Sequence, residues 1–399
     1  MKFCILKSMI GTNHHLLING QEYSWVDSID NGILCLGGAQ LPEQIMSIDY
    51  ISKLYRKNIP TFSSTPHAKF FHSIGMHDDE IKWQKVFSPE RYQVLIKDMV
   101  NNTCRVIEAL QASDYYDTLE KRLGVLMCLK PARIDNDEIT RSIRNESDLT
   151  QRSNLKTFIA KRGYARVPVY ESTVTSTGRM IIIDGPQILT LRKKHRQLIK
   201  SSYDKGDIIS IDYSSLEPRT AMAIAGQTPS GDIYEWIDGE IFDGKLGRTK
   251  AKTLTLSIIY GMSLHSAQSK YGNITVGTKK RLRDLFSVDE ITKSLLETPK
   301  DELRNLFGRP IFPDDERKLF NSFIQSTAVD VAMLGFKQII TELKKNIECK
   351  PLFLIHDEII FDVPNLAFNK VGKILKYGID IKIKNDIVNF PVTVEKLNA

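Results

Sequence analysis

"LIHDEIIFDV", residues 354–363, sets His356, Asp357 and Glu358 between two apolar runs. The branched and aromatic residues on either side read as two strands joined by a tight hairpin, with the acids at its tip. Burial of that kind punishes a charge: a bare carboxylate costs several kcal/mol unless a cation, hydrogen bonds or a proton neutralise it. A second carboxylate stands in the same predicament 145 residues earlier, where "DIISIDYSS" (207–215) carries an apolar run, Ile208, Ile209 and Ile211, into Asp212. Two such aspartates brought together make a site for a hard divalent cation. Mg²⁺ takes oxygen ligands and is typically held by one or two carboxylates plus substrate phosphates, and two ions about 3.5 to 4 Å apart serve in-line phosphoryl displacement.

The rest of the chain is compatible with that chemistry. At 399 residues and 42% hydrophobic content it can bury a real core, with two or three structural subdivisions. A formal charge of +7 suits a polyanionic partner, nucleic acid above all. The five cysteines form no Cys-x-x-Cys pair, so neither a zinc site nor a disulfide framework is indicated. No run approaches the roughly 18 to 20 apolar residues of a membrane span, and "MKFCILKSMIGTNHH" at the amino terminus has no h-region or small-residue cleavage site. A cytoplasmic location, the host cytoplasm for a viral protein, and no membrane partner are the expectations.

Residues 1–75 mix short apolar runs with Gly and Asn turns, as in "NGILCLGG" (31–38), which reads as short strands and loops of unknown role. From about 88 to 165 the pattern is helical: Leu95, Met99, Val106 and Leu110 fall near one face, and Pro89 and Pro131 punctuate. Lys121, Arg122, Arg141, Arg144, Arg152, Lys156, Lys161, Arg162 and Arg166 crowd this segment, dense enough to track a phosphate backbone or simply to keep a helical surface wet. Strands early and late with helices between them point to an α+β fold whose helical insertions form separate lobes.

"RTKAKTLTLSIIYGMS" (248–263) spaces Arg248, Lys252, Leu256 and Tyr260 four apart, one stripe about 18 Å long on an α-helix. Cations lie at one end and an aromatic at the other, the same polarity as a nucleoside triphosphate. Gly261 then ends the helix as a C′ glycine. In "ERKLFNSFIQSTAVD" (316–330), Arg317, Asn321 and Gln325 make another ladder at spacing four, whose donors suit minor-groove acceptors.

Taken in order, these stretches resemble the motifs of family A DNA polymerases, the group of bacterial DNA polymerase I and several phage replicases. "TGR" (177–179) resembles the primer-contacting motif, "DYSSLEPR" (212–219) motif A, "R-x3-K-x7-YG" (248–261) motif B, and "R-x3-N-x3-Q-S-T" (317–327) with "HDE" (356–358) completes the set. The resemblance covers roughly 170–399 and implies a right-hand fold with an antiparallel-sheet palm, helical fingers and a helical thumb. The domains it suggests are 76–170 as thumb, 171–220 as the first part of the palm, 221–310 as fingers and 311–399 as the second part of the palm.

The activity implied is template-directed nucleotidyl transfer, dNTPs added to a primer 3′-hydroxyl by a two-metal-ion mechanism. Mg²⁺ is the expected cofactor, with Mn²⁺ as a substitute, and Asp212, Asp357 and the Tyr213 carbonyl are the expected metal ligands. Glu358 and Lys252 join the aspartates as catalytic candidates, Lys252 as proton donor to pyrophosphate. Arg248 and Lys252 match the triphosphate ligands, Glu217 the residue that blocks a ribose 2′-hydroxyl, and Tyr260 the base-pair pocket. Arg179, Arg317, Asn321 and Gln325 match minor-groove contacts, with His356 near the primer end.

The chain departs from the family pattern in that Leu256 stands where an aromatic normally meets the sugar and Tyr234 where a His touches phosphates. Pro218 replaces an apolar residue and needs a place in the first turn of its helix. The fingers look trimmed, and Asp78 and Glu80 in "GMHDDE" have Asp-x-Glu spacing without a strand, so no proofreading exonuclease is expected. Small size suggests a phage replicase, with primer-template DNA and dNTPs as partners and a processivity factor, helicase or exonuclease as separate proteins. A single-subunit RNA polymerase-like enzyme and a non-catalytic nucleic-acid-binding subunit are the alternatives.

Overall fold

The strand Asp207–Tyr213 is buried nearly throughout because it is covered on both faces. Ile209, Ile211 and Tyr213 enter one core with the helices, while Ile208 enters a second with Leu352, Phe353 and Ile360. The computed structural model in which this is seen describes residues 1–30, 33–37, 47–228, 231–272 and 274–397. Asn31, Gly32 and Gly38 of the turn-rich "NGILCLGG" stretch therefore lie outside the described residues.

This strand is third in a four-stranded antiparallel sheet, ordered Lys350–Ile355, Glu358–Val363, Asp207–Tyr213, Val392–Lys396. Ile355 pairs with Glu358, so His356 and Asp357 alone form the hairpin loop. His356 takes φ +56°, the left-handed conformation that a two-residue loop demands of a central residue. On the next strand pair Asp212 stands directly opposite Glu358. The 28-residue helix Leu319–Asn346 belongs to the same core and buries Ile324, Val331, Phe336 and Ile340 among others.

The chain divides into two compact units, Met1–Glu120 and Lys121–Ala399, a division that falls inside the 76–170 segment and within the helix Tyr116–Cys128. The first unit holds a sheet ordered Glu22–Val26, His15–Asn19, Lys2–Ile5, Leu34–Leu36, in which only the last pair is parallel. Its long helix, Pro89–Gln111, starts where the Ser88 side chain accepts the Arg91 N–H and Pro89 fills the first turn. It buries Met99, Val106 and Leu110, with Leu95 half-buried. Asp78 and Glu80 sit in a 3₁₀ turn. Asp78 binds Ser63 and His72 at 2.7 and 2.8 Å, and Glu80 accepts the His77 N–H, so both carboxylates serve local structure.

The second unit carries the sheet just described and a set of helices between residues 216 and 297. Pro218 falls in the first turn of the helix Leu216–Ile224, where its missing N–H costs nothing. The helix Arg248–Ile259 ends in a Schellman motif: Gly261 at φ +99° donates to Ile258 and Met262 to Ser257, at 3.1 and 2.8 Å. Among the described residues no helix is long and apolar enough to cross a membrane.

Candidate active site

The hairpin loop and the end of its neighbouring strand meet by register. Tyr213 N–H donates to the Asp357 carbonyl at 3.2 Å, which ties the Asp212–Tyr213 backbone to the loop carrying the second aspartate. Both carboxylates line one cleft, together with Arg179, Glu217, Tyr234, Lys252, Leu256, Gln325 and His356. Desolvation, then the neighbouring charges of Asp357 and Glu358, push Asp212 up to about 7. Burial also raises Asp357, although its own backbone N–H works against the shift. No ion pair to either carboxylate exists among the described residues. Neither carboxylate is thus neutralised by a direct ion pair.

Glu358 differs from the two aspartates. Arg196, itself 8% exposed at its side chain, pairs with it at 3.0 Å, so its charge is already compensated. Burial and the nearby Arg179 hold His356 below the usual imidazole range, which leaves it neutral at pH 7 beside Asp357.

Two helices supply a further part of the lining. Lys252 and Leu256 reach the cleft from Arg248–Ile259, while Tyr234 comes from Ile233–Phe242. Tyr234 is buried, its hydroxyl bonded to Ser215, and its ring has the Lys252 ammonium at 5.8 Å and the Arg248 guanidinium at 6.0 Å from its centre. Arg248 is tied to Asp232 at 2.8 Å, which also caps the start of the Tyr234 helix. Glu217 is shared: it pairs with Arg179 and accepts the Tyr260 hydroxyl at 2.7 Å. Burial and the Glu217 charge raise Tyr260 far above the normal phenol range, so it is a donor throughout the accessible pH range.

The ladder of Arg317, Asn321 and Gln325 is only partly assembled. Gln325 reaches the cleft. Arg317 lies instead in a 3₁₀ turn ahead of the helix, which begins at Leu319, and it is 89% exposed and clamped to Asp315. The cause is local, since Asp315 captures both the backbone N–H and the guanidinium of Arg317. Asn321 stands between them, its side-chain oxygen buried without a partner among the described residues.

Among the described residues no cluster of three or more His, Cys, Asp or Glu is arranged to enclose a metal. Two desolvated carboxylates in an open cleft are instead the donor set of a hard cation that draws its remaining ligands from carbonyls, water and substrate. The residues present fit Mg²⁺ better than a closed structural site.

Against known proteins, the model of DNA polymerase family A matches residues 136–396. The chain belongs to that family. As a family A chain it is 22% identical over 260 residues to the thermostable DNA polymerase I of Thermus filiformis, and 24% identical over 258 residues to DNA polymerase I of Aquifex aeolicus. These alignments cover 55% and 58% of this chain but only 31% and 45% of those relatives. Its fold matches the polymerase domain of Pol1 from M. smegmatis, solved with DNA primer-template and dNTP, with a TM-score of 0.60 at 12% identity over 88% of this chain and 82% of that one.

Sequence reading missed several parts of this family A site. Arg196 and Asp232 hold Glu358 and Arg248 from outside the motifs that carry them. Arg219, inside "DYSSLEPR", is 8% exposed and braces the loop by donating to the Ser214 carbonyl at 3.0 Å and to the Gly231 carbonyl. Arg122, counted among the surface cations, is 1% exposed and paired with the fully buried Asp330. Its helix packs inward at that position, so the charge never reaches solvent.

Proposed function

We propose that this chain is a template-directed DNA polymerase that joins dNTPs to a primer 3′-hydroxyl, with pyrophosphate leaving. The observation that carries the reading is that Asp212 and Asp357 line one cleft together with Lys252 and Tyr234. Family membership supports it, as do relatives named DNA polymerase I and a fold neighbour solved with primer-template and dNTP.

Asp212, Asp357 and the Tyr213 carbonyl would hold Mg²⁺, or Mn²⁺ in its place. When bound, the metal lowers the pKa of the attacking hydroxyl and neutralises charge on the leaving oxygen. The chain's own contribution is positioning and charge. Lys252 and Arg248 bind the triphosphate, with Tyr234 holding the two cations side by side. Asp232 occupies Arg248 until a phosphate takes its place. Glu217, fixed by Tyr260 and Arg179, crowds the sugar's 2′ position and so excludes ribonucleotides. Arg179, Gln325 and the neutral His356 meet the primer terminus.

Purified protein with primed template and Mg²⁺, supplied with dNTPs or rNTPs in parallel, is expected to extend the primer with dNTPs and to lose extension on Asp357→Asn. Full activity in that variant would remove the assignment. Preferential use of rNTPs would instead favour an RNA polymerase, and DNA binding without metal-dependent extension a non-catalytic subunit.

A further inference from the structure

One layer behind the cleft lies a buried polar node that the proposed reaction does not use directly. Arg122 (1% exposed) pairs with Asp330 (0%), and its other terminal nitrogen reaches the Ser172 hydroxyl at 3.0 Å and the Gly178 carbonyl at 3.4 Å. Asn305 donates to Asp330 at 2.6 Å and to Ser326 at 3.1 Å. Arg309, also 1% exposed, donates to the Ser172 carbonyl at 2.7 Å. Two buried guanidiniums thus converge on Ser172, one through its hydroxyl and one through its carbonyl, and among the described residues only Arg122 is paired with a carboxylate. Such an arrangement is expensive and is poorly explained as a source of stability alone.

Its geometry concerns one loop. Residues 172–179 are gathered at one end by Glu171, which accepts from Ser172 N–H, Thr173 N–H and the Thr173 hydroxyl at 2.7, 2.7 and 2.8 Å. At the other end Gly178 turns at φ +73°, and a Cβ there would collide with the Arg309 guanidinium. The next residue is Arg179, which enters the cleft and meets Glu217. Asp330, on the far side of the node, lies on the helix that brings Gln325 and Val329 to the same cleft.

We propose that the Arg122–Asp330–Arg309 node is a positioning device for primer-terminus recognition, fixing Arg179 relative to Gln325 by clamping the 172–178 loop against the long helix. This rests on the polymerase reading, in which Arg179 and Gln325 contact the primer-template. The node touches no substrate; its three polar residues act through Arg179.

A double-mutant cycle tests it, with kcat/KM for extension from matched and mismatched primer ends as the readout. Gly178→Ala and Asp330→Asn are each expected to lower matched-end kcat/KM by about five- to tenfold, to narrow the matched-to-mismatched ratio, and to cost less than about twofold once Arg179→Ala is present. Equal losses with and without Arg179 would overturn the proposal and leave the node a scaffold. Unchanged extension in Gly178→Ala would overturn it as well. Gly178→Ala leaves the Arg122–Asp330 pair in place, so it decides the matter alone if Asp330→Asn does not fold. A wild-type protein that fails to extend any primer would sink the polymerase reading itself, a result distinct from an additive cycle.

Discussion

At the scale of single residues, Asp212 is the group whose protonation matters most. Its folded-state value of about 7 lies above the ordinary aspartate value of 3.8 that the unfolded chain would show. Between those values the unfolded chain gives up the proton while the folded one keeps it. Stability is therefore lost as pH rises from about 4 to 7, and the penalty is constant above that. Asp212→Asn removes the ionisation, so the metal-free variant is expected to melt at a higher temperature than wild type at pH 8 and at a similar one near pH 4. Thermal melts across that range check it; a variant less stable at pH 8 would refute the assignment. By the same logic Mg²⁺ should raise the wild-type Tm more at pH 8 than at pH 5.5, and Asp212→Asn should abolish most of that rise. Glu217 has the other residue-scale role. With its carboxylate anchored by the Tyr260 hydroxyl and Arg179, Glu217→Ala is expected to shift the dNTP-to-rNTP preference by at least about tenfold toward ribonucleotides, roughly 1.4 kcal/mol. An unchanged ratio in single-nucleotide incorporation assays would exclude it as the 2′ gate.

Among the elements, the long helix Leu319–Asn346 shows how a local preference gives way to the site. Gly335 stands in its interior, where glycine costs about 1 kcal/mol relative to alanine. The space a side chain would take is filled by the Tyr213 phenol, whose hydroxyl donates to the Ala332 carbonyl at 3.4 Å. Gly335→Ala should therefore destabilise, overpacking by about 1 to 3 kcal/mol or more outweighing the helix gain. Because Tyr213 adjoins Asp212, extension activity should fall too. Adding Tyr213→Phe should recover part of both in melts and extension assays; full stability in Gly335→Ala alone would show that the phenol moves freely. Elements of this kind also mark what a sequence exposes. The two acid-bearing strands were legible because an aspartate interrupts an otherwise apolar run, and the Arg248–Ile259 helix because its stripe and terminal glycine are local signals. Arg317 broke the expected ladder because a capping aspartate two residues away competed for it. The node behind the cleft was out of reach, since Arg122 and Asp330 are 208 residues apart and no local pattern marks an arginine as buried. Arg196 and Glu358, 162 apart, were hidden for the same reason.

For the molecule as a whole, the net charge of +7 says less about DNA than the placement of its cations. Eleven basic residues between 121 and 166, Lys130 and Arg133 besides the nine named above, invite the expectation of a long phosphate track. Arg122 is buried against Asp330, Arg166 is doubly bonded to Asp184, Arg141 is paired with Glu138, and Arg152 donates to the Glu146 carbonyl. Arg133 likewise donates to the Ser201 carbonyl at 3.0 Å, which leaves Lys121, Lys130, Arg144, Lys156, Lys161 and Arg162 exposed and without an acidic partner among the described residues. Each phosphate neutralised adds about 0.9 to the slope of log Kobs against log salt, so this segment supplies a slope of about 5.4 in magnitude rather than about 10. Lys161→Gln with Arg162→Gln should make the slope for primer-template binding shallower by about 2, uniformly across DNA sequences. Arg166→Gln, whose charge is already spent on Asp184, should change it by well under 1. Equal changes from the two variants would mean that the Arg166–Asp184 pair opens to meet DNA, and no change from either would move the phosphate track to another face of the protein.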